Sequence, residues 1–129
     1  MSQNHRKVLV IEDEADIREN LEELLSEKYE VLASSGGRVG IETALKELPD
    51  IVICDVTMAG VTGYNVLSAL RSNPSTANIP FIFLSAKVAK DDVRLGMDLG
   101  ADDYLTKPFT RQELFNAIAA RLKRVELQR

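Results

Sequence analysis

The 129-residue chain has no tryptophan, one cysteine and one histidine. A single cysteine, Cys54, excludes an internal disulfide and cannot build a thiolate metal site by itself. Its position inside an apolar run predicts a buried thiol. His5 stands alone near the amino terminus, so neither a histidine metal site nor a histidine base can be assembled. Any chemistry in this chain must therefore use carboxylates, hydroxyls and amines.

Long apolar runs and a strong positive charge are also lacking. No stretch approaches the length of a bilayer span, and Glu12 and Asp13 interrupt the first apolar run, so no signal peptide is predicted. The net charge of −4 argues against a general nucleic-acid surface, which requires clustered Lys and Arg. We therefore predict a cytoplasmic protein that binds neither membrane nor nucleic acid through this segment.

Short apolar runs alternate with amphipathic stretches along the chain. Strands are predicted near residues 7–12, 30–34, 51–55, 80–84 and 102–105, each followed by a helix. Apolar residues at helical spacing mark three of the helices. They are Ile17, Leu21, Leu24 and Leu25 in the first, Ile41, Ala44, Leu45 and Leu48 in the second, and Leu114, Ile118, Leu122 and Val125 in the fifth. The third helix is predicted over residues 63–71. The alternation predicts an α/β fold, a doubly wound, flavodoxin-like parallel sheet of five strands in the order 2-1-3-4-5 with five helices.

The length of the chain suits one domain. We expect a flexible amino terminus at residues 1–6 and a single domain over 7–122. Residues 123–129 would extend the last helix, as a dimerisation helix or as a linker to a further domain. The fourth helix contains or adjoins Gly96 and Gly100, and an interior glycine costs a helix about 1 kcal/mol relative to alanine. We expect this helix to rearrange most easily.

Polar side chains stand at four predicted strand ends: Glu12 with Asp13, then Asp55, Ser85 and Lys107. The carboxyl ends of the strands are where such sheets place their ligands. Clustered carboxylates repel unless a cation relieves them, and Mg²⁺ prefers such hard oxygen ligands. A lysine and a serine hydroxyl suit a phosphoryl group. The alternative interpretation is that these acids only cap helices and meet solvent.

The chain resembles the receiver domains of bacterial two-component response regulators over nearly its whole length. The resemblance lies in the combination of several short segments, each weak alone. They are Val8–Glu14, Asp55 with Met58 and Gly63 downstream, Leu84-Ser85-Ala86, and Gly100–Phe109.

The resemblance implies that Asp55 accepts a phosphoryl group from the phosphohistidine of a sensor histidine kinase or a phosphotransfer protein. Glu12, Asp13 and Asp55, with the backbone carbonyl of Thr57, would hold Mg²⁺, or Mn²⁺ in its place. Lys107 would balance charge on the phosphoryl group. The protein would then be a signalling protein that catalyses its own phosphorylation and slow dephosphorylation, and not a turnover enzyme.

The resemblance also implies a switch. Ser85 would move toward the phosphoryl group and Tyr104 would swing inward behind it. The face formed by the fourth helix, fifth strand and fifth helix would change, and could form a homodimer or control an output domain. A cis peptide bond is implied at Lys107-Pro108.

The chain departs from the family pattern at a few positions. Ala59 stands where the family often has proline, which predicts a looser loop, and Ser85 replaces the commoner threonine. Thr57 and Lys87 occupy positions that tune dephosphorylation in the family.

Three alternatives carry less support. A haloacid-dehalogenase-type phosphatase needs an acid/base aspartate where Thr57 stands, and it needs a cap. A pseudo-receiver that only binds partners would have lost acceptor or metal acids, and all are present. Nucleotide binding through Gly36–Gly40 lacks the dinucleotide fingerprint, and a flexible turn explains these glycines. The aromatic residues are interpreted as core or edge packing.

Overall fold

The computed structural model describes residues 6–86 and 90–127, the last four of these by their backbone alone. Within these residues five strands alternate with five helices: β1 (Lys7–Ile11), α1 (Ala15–Leu25), β2 (Glu30–Ser34), α2 (Gly37–Glu47), β3 (Ile51–Asp55), α3 (Gly63–Arg71), β4 (Phe81–Ser85), α4 (Lys90–Asp98), β5 (Asp103–Thr106) and α5 (Arg111–Leu127). The strand predictions agree to within one residue at each end. Residues 1–5, at the expected flexible terminus, lie outside the described residues.

The five strands form one parallel sheet in the order β2-β1-β3-β4-β5, which confirms the predicted doubly wound fold. The register aligns the carboxyl ends of the inner strands. Ile11 pairs with Cys54, Asp55 with Leu84, and Ser85 with Thr106. The residues that end these strands, or directly follow them, are therefore neighbours at one edge of the sheet.

Both faces of the sheet are covered, so the central strands are apolar along their length. On one face α1 and α5 pack against β1, β3 and β4 through Leu21, Leu25, Leu114 and Ile118. On the other face α2 and α3 pack through Ala44, Val66, Leu67 and Leu70. The aromatic residues of β4, Phe81 and Phe83, are fully buried, as predicted. The side chain of Val125, at the end of the predicted stripe, lies outside the described side chains.

Helix α2 corrects two sequence interpretations. Gly37 and Gly40 belong to its first turns and do not form a flexible turn. A Cβ atom on Gly40 would lie 2.5 Å from Cδ1 of Ile11, so glycine lets the helix approach β1 closely. The buried face is therefore formed by Gly37, Gly40 and Ala44. Leu45 and Leu48, predicted to face the core, are 38% and 50% exposed.

Helix α3 is held close to the end of β3. The Thr62 hydroxyl accepts a hydrogen bond from the backbone N–H of Asn65, and the Asn65 side chain accepts one from the backbone N–H of Thr62. This capping box fixes where the helix begins. A Cβ atom on Gly63 would overlap the backbone carbonyl of Asp55. The glycine thus allows α3 to start directly against the strand end that carries Asp55.

Helix α4 contains Gly96 as its buried residue. A Cβ atom there would lie 3.0 Å from Cδ2 of Phe83 and 3.1 Å from Cδ2 of Tyr104. The glycine that weakens this helix therefore also lets it contact two aromatic rings of the sheet. Among the helices of the described residues, none is both long and apolar enough to cross a membrane.

Candidate functional site

Three acids meet where β1 and β3 end. Glu12, Asp13 and Asp55 each place one carboxylate oxygen within 4.8 Å of the others. Glu12 is only 1% exposed. Burial raises the pKa of Glu12, and the charge of Asp55 raises it further, while the Glu14 N–H and Lys107 oppose the shift. Negative charge is thus concentrated at one edge of the sheet.

Lys107 follows β5 and reaches into this cluster. Its Nζ lies 3.2 Å from Oε1 of Glu12 and 3.4 Å from Oδ2 of Asp55. Burial alone would lower the pKa of Lys107, but the nearby charges of Asp55 and Glu12 outweigh burial and raise it. The lysine is therefore an ammonium ion at neutral pH. The Lys107-Pro108 peptide bond is cis, as the resemblance implied.

Backbone groups hold the acids in place. The N–H of Glu14 donates to Oε2 of Glu12 at 3.2 Å, and the N–H of Thr57 donates to Oδ1 of Asp55 at 3.3 Å. The N–H of Ala59 donates to Oδ2 of Asp13 at 3.1 Å. A proline at this position would have no N–H to donate. The departure at Ala59 thus supplies a hydrogen bond between the loop after β3 and the acid cluster.

One further contact was not anticipated from the sequence. The Arg18 guanidinium donates to the backbone carbonyl of Glu12 at 3.0 Å, which ties the first turns of α1 to the end of β1. A basic residue in the second turn of the helix that follows two strand-end acids is the only signal that the sequence offers for it.

A cleft of about 280 Å³ opens above the acids. It is lined by Glu14, Ile17, Asp55, Thr57, Ser85, Ala86 and Lys107. Of the three clustered acids, only Asp55 lines this cleft. A second concavity of about 290 Å³ includes Asp50 and Pro80, which precede β3 and β4, so it lies at the opposite edge of the sheet, away from the acid cluster.

Ser85 and Tyr104 lie beside the cleft and contact each other. Ser85 is buried at the end of β4. Burial raises the pKa of Tyr104, and a side-chain hydrogen bond with Ser85 opposes that rise. The Tyr104 ring packs against Phe83 with a centroid distance of 5.9 Å. Tyr104 is therefore linked to Ser85 in this structure. Lys87 lies outside the described residues.

The donor set suits a hard divalent cation. Three carboxylates with one ammonium leave excess negative charge, and carboxylate oxygens are the ligands that Mg²⁺ prefers. Cys54, beside Asp55, is fully buried and hydrogen-bonds the backbone carbonyl of Asp55. Burial raises the pKa of its thiol well above the ordinary value. The thiol is therefore not a ligand or nucleophile in this fold.

A doubly wound domain that gathers acids, a serine and a lysine at its strand ends has the architecture of a phosphoryl-receiving signalling domain. The family model for the response regulator receiver domain matches residues 8–119. The chain therefore belongs to the response regulator receiver domain family, and it serves phosphorylation-based two-component signalling.

Solved structures agree with this assignment. A response regulator receiver domain protein from Clostridium thermocellum is 32% identical, with a TM-score of 0.89 over 96% of this chain and 99% of that one. A putative response regulator from Chloroflexus aurantiacus is 33% identical, with a TM-score of 0.88 over 93% and 99%. The receiver domain of a sensor histidine kinase from Pseudomonas aeruginosa, described with a magnesium ion in its active site cleft, shares the fold at 24% identity, a TM-score of 0.86, and 93% and 99% coverage.

Proposed function

We propose that Asp55 is the phosphoacceptor of this receiver, and that the phosphoryl donor is the phosphohistidine of a sensor histidine kinase or a phosphotransfer protein. The observation that carries this proposal is the position of Asp55. It is the one clustered acid that lines the cleft, and its Oδ2 faces the Lys107 ammonium at 3.4 Å. Glu12 is buried behind it.

The reaction is an in-line displacement at phosphorus. A carboxylate oxygen of Asp55 forms a bond to phosphorus while the bond from phosphorus to the donor imidazole nitrogen breaks, and the donor leaves as histidine. Lys107 offsets the negative charge on the phosphoryl oxygens. The Thr57 N–H holds the other side of the carboxylate and so orients it. No general base is required, because a carboxylate oxygen attacks phosphorus without giving up a proton.

Glu12, Asp13 and Asp55, with the backbone carbonyl of Thr57, would hold Mg²⁺, or Mn²⁺ in its place. The bound ion supplies positive charge to the phosphoryl oxygens. The acid cluster and the magnesium ion described in the Pseudomonas aeruginosa receiver support this assignment. In the cytoplasm, where Mg²⁺ is abundant, the site would be loaded before the donor arrives.

Phosphorylation would be read through Ser85 and Tyr104. The Ser85 hydroxyl turns to a phosphoryl oxygen, Tyr104 follows it inward, and the face of α4, β5 and α5 changes. This face would form a homodimer or control an output domain or partner. Residues 123–129 would carry the signal onward as an extension of α5, which continues to Leu127.

Intact mass after incubation with Mg²⁺ and a small phosphodonor tests the proposal. Acetyl phosphate and phosphoramidate, whose P–N bond represents that of phosphohistidine, are used separately. We expect one added phosphoryl group on the wild type and on Asp50→Asn, which changes an acid at the start of the same strand. Chelator and Asp55→Asn should each abolish it. Addition to Asp55→Asn, or none to the wild type from either donor or from a histidine kinase, would contradict the proposal.

A further inference from the structure

Tyr64, in the first turn of α3, has a buried hydroxyl that no described residue pairs with. Its oxygen is inaccessible to solvent, and no hydrogen-bond partner lies among the residues that the structure describes. The ring packs edge-on against Phe83, with centroids 5.4 Å apart and an interplanar angle of 67°. A phenylalanine would make the same ring contact. An unpaired buried hydroxyl is unfavourable, so its presence calls for a state in which it is paired.

Tyr64 lies close to Tyr104, one of the two residues of the proposed switch. The Phe83 ring contacts both Tyr64 and Tyr104, at centroid distances of 5.4 Å and 5.9 Å. Gly96 lets α4 approach the Phe83 and Tyr104 rings closely. Asp92, one turn before Gly96, is half-buried on the same helix. Residues from α3, β4, α4 and β5 therefore meet in one place.

The charge of Asp92 affects the pKa of both Tyr64 and Tyr104. Burial raises the pKa of Tyr64, and the Tyr104 and Asp92 charges raise it further. Burial also raises the pKa of Tyr104, where the hydrogen bond with Ser85 opposes it and the Asp92 charge adds to it. The charge of the Asp92 carboxylate thus acts on both hydroxyl groups, and a carboxylate accepts hydrogen bonds from more than one donor.

We infer that Tyr64, together with Asp92, is the receiving position for the Tyr104 hydroxyl in the phosphorylated state. The inference rests on the proposed function, because it requires Ser85 to turn toward a phosphoryl group on Asp55. The hydrogen bond between Ser85 and Tyr104 then breaks, and the Tyr104 hydroxyl, moving inward behind Ser85, comes to a new position. A hydrogen bond between the two tyrosine hydroxyls, with the Asp92 carboxylate accepting a hydrogen bond from the second O–H, pairs both groups. Tyr64 is thus a positioning residue that links α3 to β5 and α4.

The chain offers a direct measurement, because it contains three tyrosines, Tyr29, Tyr64 and Tyr104. Tyrosine labelled with ¹³C at the hydroxyl-bearing ring carbon gives one NMR signal for each, and single Tyr→Phe variants assign them. Beryllofluoride with Mg²⁺ serves as the phosphoryl mimic. We expect the Tyr64 and Tyr104 signals to move together. Tyr29 stacks on Phe115 at 6.2 Å and belongs to the opposite face of the sheet, so its signal should stay.

A second measurement uses the midpoint of thermal unfolding. Tyr64→Phe removes an unpaired hydroxyl, so it should raise the midpoint of the unmodified protein by about 2–4 °C. The same variant should reduce the additional stabilisation that beryllofluoride and Mg²⁺ give to the wild type, since the new hydrogen bond cannot form. Tyr29→Phe is the matched control and should leave that additional stabilisation unchanged.

The outcomes separate the inference from the proposed function. If acetyl phosphate modifies Asp55 but the Tyr64 signal does not move with the mimic, the inference is wrong. It is also wrong if Tyr64→Phe keeps the full stabilisation by the mimic. In both cases the assignment of Asp55 as the phosphoacceptor still stands. If no phosphoryl group is added to Asp55 from any donor, the proposed function fails and the inference fails with it. Joint movement of the Tyr64 and Tyr104 signals, reduced for Tyr104 in Tyr64→Phe, supports the inference.

Discussion

At the scale of single residues, the acid cluster holds more negative than positive charge. Glu12, Asp13 and Asp55 bring three carboxylates within 4.8 Å, and Lys107 contacts two of them. One ammonium cannot offset three negative charges. The strand ends are therefore strained by repulsion when no cation is bound, and binding of Mg²⁺ should stabilise the folded protein.

We predict that Asp13→Asn weakens Mg²⁺ binding by about tenfold or more, because the loss of an acid in the cluster should cost at least as much as the loss of an outer-shell partner. The midpoint of thermal unfolding, titrated with Mg²⁺, measures the affinity. Asp16→Asn, an exposed acid in the first turn of α1, is the control and should titrate like the wild type. Equal titrations for all three proteins would remove Asp13 from the metal site.

Cys54 provides a test that depends on packing alone. Its side chain is inaccessible, and burial raises the pKa of the thiol. We predict no reaction with a disulfide reagent such as Ellman's reagent at pH 8 in the folded protein, and complete reaction in denaturant. Rapid labelling of the native protein would show that the end of β3 opens far more readily than its packing indicates.

Residues with chemistry at strand ends could be located from the sequence, because a parallel sheet brings those ends together. Glu12, Asp55, Ser85 and Lys107 accordingly lie around one cleft or directly behind it. The sequence did not reveal the hydrogen bond from the Ala59 N–H, nor the Tyr64 hydroxyl that lacks a partner among the described residues. The first is a backbone donor in a loop, which any residue except proline would supply, and the second depends on which atoms surround a ring in three dimensions.

At the scale of elements, the apolar periodicity of the sequence predicted the presence of each helix more accurately than the face that the helix buries. For α2 the predicted face was right at Ala44 and Ile41, which pack in the core, and wrong at Leu45 and Leu48, because Leu48 caps the helix and the small Gly37 and Gly40 form the rest of the contact with the sheet. Glycine at position 40 lets this helix contact Ile11 of β1 directly. The strands were easier to predict from the sequence, since buried parallel strands are continuous apolar runs bounded by polar residues.

Gly63 gives the sharpest test of close packing. A Cβ atom there would overlap the backbone carbonyl of Asp55, which cannot move aside as a flexible side chain can. We predict that Gly63→Ala lowers the free energy of unfolding by about 2 kcal/mol. Gly36→Ala, where no atom lies within 4 Å, should cost less than about 1 kcal/mol. Chemical denaturation measures both, and equal losses would mean that α3 does not start as close to β3 as described.

At the scale of the whole molecule, the predicted fold and strand order were right because five alternations of strand and helix leave few ways to cover both faces of a parallel sheet. The surface at α4 could not be predicted in the same way. Leu95, Met97 and Leu99 are 46%, 41% and 36% exposed on and just after this helix. Leu95 and Leu99 are one helical turn apart, and exposed leucines near the proposed switch residues would suit an interface that forms on phosphorylation.

We predict that beryllofluoride with Mg²⁺ converts the protein from monomer to dimer through the face of α4, β5 and α5. Sedimentation velocity measures the mass. Leu95→Lys should prevent the change, whereas Val39→Lys, at an apolar residue of α2 that is 51% exposed, should not. An unchanged mass for the wild type after full modification would exclude this homodimer, and dimerisation of Leu95→Lys would place the interface elsewhere.

The identity of the phosphorylated residue is the central claim, and chemical trapping tests it most directly. Borohydride reduces an aspartyl phosphate to homoserine, which peptide mass spectrometry locates. After treatment with Mg²⁺ and a phosphodonor, we predict homoserine at position 55 and unchanged aspartate at position 13. Reduction at Asp13, at Glu12, or at no acid of a protein that has gained a phosphoryl group would contradict the assignment of Asp55.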